Sequence, residues 1–123
     1  MAGHYGHVPR GISGTFNALR WSLQGLQAAW LHEASFRLEV VIASVLLPAG
    51  ALLGRNGVEK ALLMGSVLTV LALELLNSAI EAVIERYGAE HHELAGRAKD
   101  MGSAAVFISI VSASATWACI VLG

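Results

Sequence analysis

From about residue 13 to 35 the apolar positions recur at helical spacing. Phe16, Leu19, Leu23, Leu26 and Trp30 follow one another at intervals of 3, 4, 3 and 4, which lines them along one face of a helix. Asn17, Arg20, Gln24 and Gln27 repeat the same way on another face. Polar residues interrupt this segment too often for it to cross a bilayer. The pattern predicts an amphipathic helix lying in the interfacial plane, with the Trp21 and Trp30 rings near headgroup level. The alternative is the same helix packed on its own bundle.

Three longer apolar runs follow. The first is expected over residues 36–54. Its uncharged part, 40–54, is only roughly 22 Å of helix against a hydrocarbon core of about 30 Å. A span must therefore begin near Phe36, with Arg37 and Glu39 close to one interface. Pro48 falls inside this run and should kink it, and Gly50 and Gly54 make a GxxxG pair that favours close helix contact. The sequence GRNG at 54–57 predicts a short turn. The second span, about 58–84, is uncharged from Ala61 to Leu73, after which polarity returns inside the helix. A polar link, 85–100, separates it from the third span, 101–123, which carries no charge at all. Residues 1–12, glycine-rich with Pro9 and Arg10, read as a flexible tail with no cleavable signal peptide, and 13–123 as one membrane-embedded domain.

Composition agrees with a lipid solvent. Of 123 residues, 55% are hydrophobic and 14% charged, and the mean hydropathy is +0.61. A soluble domain this small needs more charge than that to cover its surface. The expectation is an all-α membrane protein: one surface helix and three transmembrane helices. The net charge of −1 gives no basic stripe for nucleic acid, and the single cysteine, Cys119, rules out an intrachain disulfide and reads as packing. Basic residues set the orientation. Arg10, Arg20 and Arg37 precede the first span, Arg55 and Lys60 flank the first turn, and Arg86, Arg97 and Lys99 lie in or near the second link. That distribution favours N-terminus inside and C-terminus outside.

The second span carries the chemistry. Glu74, Asn77, Ser78, Glu81 and Glu85 fall at i, i+3, i+4, i+7 and i+11, one stripe of a helix. Placing an ionisable group in the bilayer core costs roughly 2.5–3.5 kcal/mol or more, so an aligned set at depth points to function. A hydrogen-bonded cluster between helices is the bland rival. With alternating spans, Glu33, Arg37, Glu39, Glu81, Glu85, Arg86, Lys99 and Asp100 share one end. Arg55, Glu59 and Lys60 face the other. That asymmetry suits an interfacial site better than a transport path, which needs polar groups through the whole thickness. No Walker A sequence or kinase glycine loop is present. Clustered carboxylates suit Mg²⁺, and burial makes a carboxylate a stronger base while it stays ionised. From residues alone, a hydrolase, a transferase and a metal-binding protein stay equally open.

Three stretches, GLQAAWLHEASFRLE (25–39), ELLNSAIEAVIERYG (74–88) and EHHELAGRAKDMGSAAV (90–106), resemble the signature blocks of the prokaryotic diacylglycerol kinases. They stand in that family's order and separation, and the likeness covers about 15–123. The first block looks like the Gram-negative diacylglycerol kinases rather than the Gram-positive undecaprenol kinases. The resemblance implies a homotrimer in the bacterial inner membrane, with cytoplasmic sites formed between subunits. These would transfer phosphate from Mg²⁺-ATP to the primary hydroxyl of diacylglycerol. It implies Glu74 as general base, Asn77 as an orienting residue and Lys99 as the cation opposite phosphate charge. Glu33 and Glu81 match the metal-holding carboxylates. Trp21, Glu33, Glu81, Glu90, His91, His92, Lys99 and Asp100 match nucleotide contacts, and Glu39, Glu74 and Ser103 positions near the lipid substrate. Each has a plainer reading. Glu33 and Arg37 could form an i, i+4 surface ion pair, His91 and His92 could be merely solvated, and Lys99–Asp100 could cap the third span. Three departures from the family pattern stand out: Gly14 where arginine is frequent, Trp21 where tyrosine is common, and Glu85 in place of an aspartate. A polyprenol kinase is the nearest alternative, and a small proton-coupled multidrug transporter the alternative from another class.

Overall fold

The computed structural model describes residues 11–87 and 93–123. They form four helices: α1 (Ile12–His32), α2 (Ala34–Leu53), α3 (Gly57–Tyr87) and α4 (Glu93–Leu122). Most of the expected N-terminal tail, and Glu90, His91 and His92, lie outside the described residues.

α1 and α2 are separated by a single residue. Glu33 takes an extended backbone (φ −117°, ψ 103°). Its N–H still donates to Ala29 O at 2.8 Å, and its own carbonyl accepts from Arg37 N at 3.1 Å. The elbow therefore falls at Glu33, inside the stretch expected to be continuous surface helix. Arg37 explains why α1 stops there. Its Nη1 donates to the carbonyls of Trp30 and Leu31, at 2.8 and 3.2 Å, supplying partners that the last turn of α1 would otherwise lack. The Glu33–Arg37 ion pair, the plainer alternative for these residues, is not formed among the described residues.

α2 stays helical through Pro48. Gly50 lets it press on α3: a Cβ there would stand 3.1 Å from Leu63 Cβ and 3.3 Å from Met64 Cγ. Gly54 meets Lys60 still more tightly, with a Cβ falling 2.7 Å from the Lys60 nitrogen. The turn at 54–56 is locked by its own side chains. Asn56 Oδ1 accepts from Glu59 N at 2.9 Å, capping α3. Glu59 Oε1 accepts from the Arg55 backbone N–H at 2.9 Å and from its Nε at 3.1 Å. Arg55 Nη2 also reaches Ile120 O at 3.4 Å, so this turn and the C-terminus of α4 lie at the same end of the bundle.

α3 packs along both α2 and α4. Two contacts set the antiparallel register with α4. Trp117 Nε1 donates to Leu63 O at 3.1 Å, and Gly102 lies directly against Asn77 Oδ1. Both helices cover about four turns between these contacts.

α3 and α4, of 31 and 30 residues, are each roughly 45 Å long and outrun a hydrocarbon core of about 30 Å. The extra length of α4 is at its start. It begins at Glu93 rather than at Met101, because Glu93, Leu94, Ala95, Arg97, Ala98 and Lys99 are strong helix formers. Lys99 and Asp100 are thus about two turns inside the helix, so the plainer alternative, that they cap the start of the third span, does not apply.

α2, α3 and α4 are each long and apolar enough to cross a membrane, with mean hydropathies of 1.9, 1.9 and 2.1 over their most apolar windows. Large side chains such as Val45, Leu52, Leu68, Ile108 and Val111 are exposed on their outer faces. Surfaces this apolar are stable only when covered by lipid or protein. The chain is a helical membrane protein.

Candidate functional site

Glu74 sits on the inward face of α3 and is 7% exposed, the one buried carboxylate among the described residues. Helical periodicity carries Asn77, Ser78 and Glu81 onto the same side, all half-buried, while Glu85 reaches the surface. Asn77 Nδ2 donates to Glu81 Oε1 at 3.3 Å. The amide oxygen on the other side faces α4, where the bare backbone of Gly102 makes room for it.

Two further carboxylates come from the α1–α2 side. Glu33 projects from the elbow and makes no side-chain capping bond to α2. Glu39, a turn and a half further on, is half-buried. Glu81 and Glu33 lie within electrostatic reach of Glu74, as Glu74 does of Glu39. Four acidic side chains from two helices and a junction therefore gather at one end of the bundle. The other end holds the Arg55–Glu59 pair.

This cluster contains the buried polar atoms that the described residues leave without a partner: Glu39 Oε2 and Asn77 Oδ1. Such atoms are costly unless something outside the chain meets them. Glu39 also lines an apolar cavity of about 500 Å³ between α2, α3 and α4, with Ile42, Leu71, Ile110 and Trp117 among its walls.

Lys99, Asp100 and Ser103 are exposed on α4. The register set by Gly102 and Asn77 puts Lys99 one turn from Gly102, level with the Glu81 end of α3. Among the described residues, no ion pair ties Lys99 or Asp100 to the carboxylates. Trp21 is half-buried on α1. Two site-building residues escape sequence reasoning. Arg37 reads as an ion-pair partner because its true acceptors are backbone carbonyls, which a sequence does not display. Gly102 is legible only as one of several small residues in MGSAA.

The donor set fits Mg²⁺. Carboxylate oxygens are the hard ligands this ion takes, and Glu33 and Glu81 would hold it. Among the described residues no three acidic, His or Cys side chains close into a cage by themselves.

These features define a class: a small helical membrane protein with a cluster of acidic side chains at one end of an antiparallel bundle. Comparison with known proteins narrows it. The profile of the family described as prokaryotic diacylglycerol kinase matches residues 20–121. The chain is 48% identical over 107 residues to a diacylglycerol kinase of Haemophilus influenzae, covering 87% of this chain and 91% of that protein. It is 48% identical over 112 residues to one of Escherichia coli, covering 91% of each. Against one of Pseudomonas aeruginosa it is 45% identical over 113 residues, covering 92% of each. The chain belongs to the prokaryotic diacylglycerol kinase family, as the three quoted stretches led one to expect.

Proposed function

We propose that this protein transfers the γ-phosphoryl group of ATP to the primary hydroxyl of diacylglycerol, giving phosphatidic acid at the cytoplasmic face of a bacterial inner membrane. Membership of the family makes the chain a lipid kinase and leaves the transporter reading without support. The observation that carries the site is the gathering of Glu33, Glu39 and Glu81 within electrostatic reach of Glu74, in a cluster that leaves Glu39 Oε2 and Asn77 Oδ1 buried without a partner.

Phosphoryl transfer needs alignment, charge compensation and a base for the attacking hydroxyl more than covalent help. In this reading Glu74 Oε takes the hydroxyl proton as the lipid oxygen bonds to the γ-phosphorus and ADP leaves. Asn77 orients Glu81, and Lys99 offsets phosphate charge. Glu33 and Glu81 would hold Mg²⁺, which supplies electrostatic stabilisation to the phosphate oxygens. Trp21, Glu90, His91, His92 and Asp100 complete the nucleotide contacts, while Glu39 and Ser103 lie toward the lipid headgroup. The apolar cavity beside Glu39 is of a chemistry that accepts hydrocarbon. α1 lies along the inner leaflet, the N-terminus is cytoplasmic and the C-terminus external, and three chains assemble.

The test is purified protein in mixed micelles with Mg²⁺-ATP, offered diacylglycerol and undecaprenol side by side. Diacylglycerol should be phosphorylated preferentially, and Glu74→Gln should lower turnover by roughly 10²–10⁴-fold with the fold intact. Preference for undecaprenol would replace the substrate, and full turnover by Glu74→Gln would remove the base.

A further inference from the structure

We propose that Gly102 is a positioning residue for the metal–nucleotide site, acting through Asn77 on Glu81; this rests on the metal role proposed for Glu81. Gly102 belongs to none of the groups assigned above. It is fully packed within α4, and a Cβ built on it would collide with Asn77 Oδ1 and stand 3.5 Å from Ile80 Cδ1. The amide can point its oxygen at α4 only because position 102 has no side chain.

That orientation decides what the other end of the amide does. An Asn side chain has one accepting and one donating end on a single planar group. With Oδ1 lodged against Gly102, Nδ2 faces Glu81 and donates to Oε1 at 3.3 Å. The buried oxygen gains no N–H or O–H partner from the described residues, so its placement is not explained by its own hydrogen bonding. Shape holds it there: α4 offers a notch, and the amide fills it. Glu81 is thereby steered by a residue on another helix. One Glu81 oxygen is engaged by the amide and the other is left for a cation.

A methyl group at position 102 would push the amide out of the notch and turn Nδ2 away from Glu81. The carboxylate would then swing freely, and a divalent ion bridging it to nucleotide phosphates would lose part of its preset geometry. The same methyl does no harm once the amide has been removed.

The experiment measures binding of Mn²⁺ with a non-hydrolysable ATP analogue by electron paramagnetic resonance. The samples are detergent-solubilised wild type, Gly102→Ala, Asn77→Ala, the double variant and Glu81→Gln. Gly102→Ala should weaken Mn²⁺ affinity roughly tenfold, the scale of one lost hydrogen bond to a charged group. Added to Asn77→Ala it should weaken affinity no further, since coupled residues do not sum. Unchanged affinity in Gly102→Ala, or an equal loss in both backgrounds, overturns the proposal. If Gly102→Ala fails to fold, a double variant that folds as well as Asn77→Ala supports the clash, and one that also fails overturns it. Normal Mn²⁺ binding by Glu81→Gln would reject the metal role itself and the proposal with it. Weak binding by Glu81→Gln beside normal binding by Gly102→Ala would reject the proposal alone.

Discussion

Arg37 Nη1 donates to the carbonyl oxygen of Trp30 at 2.8 Å, across the elbow whose apex is Glu33. With its second bond, to Leu31 O at 3.2 Å, one guanidinium from the first turn of α2 closes the last turn of α1. The direction in which Glu33 projects depends on that elbow. Arg37→Ala should leave the three spans inserted but loosen α1, giving faster amide exchange over Ala28–His32. Arg37 is half-buried, so the lost bonds amount to about 1 kcal/mol after allowance for solvent. We expect the KM for Mg²⁺-ATP to rise roughly fivefold with a smaller change in the KM for diacylglycerol. Equal changes in both would mean that the elbow does not aim Glu33.

Trp117 is the second tie whose loss can be measured. Its indole N–H donates to Leu63 O from a helix that otherwise buries little, and Leu63 is fully buried. Leu63 O is already engaged by its own helix and by Ser66 Oγ at 2.9 Å, so this is an added acceptance at a crowded oxygen, worth about 1 kcal/mol. Trp117→Phe keeps an aromatic ring at the cavity wall and removes only the donor. Its thermal midpoint in micelles should fall by a few degrees while kcat stays near wild type. Trp117→Ala should fall further, because it also enlarges the apolar cavity. If Phe and Ala variants melt together, the hydrogen bond rather than the packed ring holds α4 to α3.

Much of this architecture was legible because membrane helices must satisfy their backbone internally and so announce themselves as long apolar runs. The stripe Glu74–Asn77–Glu81 was legible for the same reason: polar residues at helical spacing stand out against apolar neighbours. Boundaries were less legible. α4 starts at Glu93 because polar residues with high helix propensity extend a helix past the lipid boundary, where hydropathy no longer reports it. The elbow at Glu33 depends on contacts between Arg37 and main-chain atoms, and side-chain patterning says nothing of those. Gly102 was hidden most deeply. A glycine among alanines and serines declares its role only when the facing residue, 25 positions earlier in the chain, is known to be Asn77.

The two ends of the bundle give a topology test. Asn56 lies in the turn beside Arg55, which reaches the C-terminal turn of α4, whereas Arg97 is exposed at the opposite end. Cys119 is exposed and must be removed first. In a Cys119→Ala background, Asn56→Cys should react with a membrane-impermeant maleimide added to intact spheroplasts, and Arg97→Cys only after lysis. The reverse pattern would invert the orientation and put the acidic cluster outside, where no ATP is supplied. Labelling of both from one side would contradict the alternation of the three spans.

Glu39 offers a way to separate the two substrates. Its Oε2 is buried without a partner and its side chain borders the apolar cavity, so an incoming hydroxyl is the natural donor to that oxygen. A diacylglycerol brings one hydroxyl beside two ester carbonyls, and only the hydroxyl can donate. Glu39→Gln keeps the shape but places an N–H₂ where an acceptor stood, and Glu39→Ala removes both. Each should raise the KM for diacylglycerol, Ala by at least as much as Gln, since the Gln amide keeps one acceptor oxygen and the lipid hydroxyl can also accept from its N–H. The expected size is roughly tenfold, about one hydrogen bond, with the KM for ATP nearly unchanged. Glu74 is expected to respond differently, losing kcat rather than affinity, because a base acts only as the proton moves. Should Glu39→Ala instead lower kcat while leaving both KM values alone, the base would have to be sought at Glu39, and Glu74 would become the residue that holds the lipid.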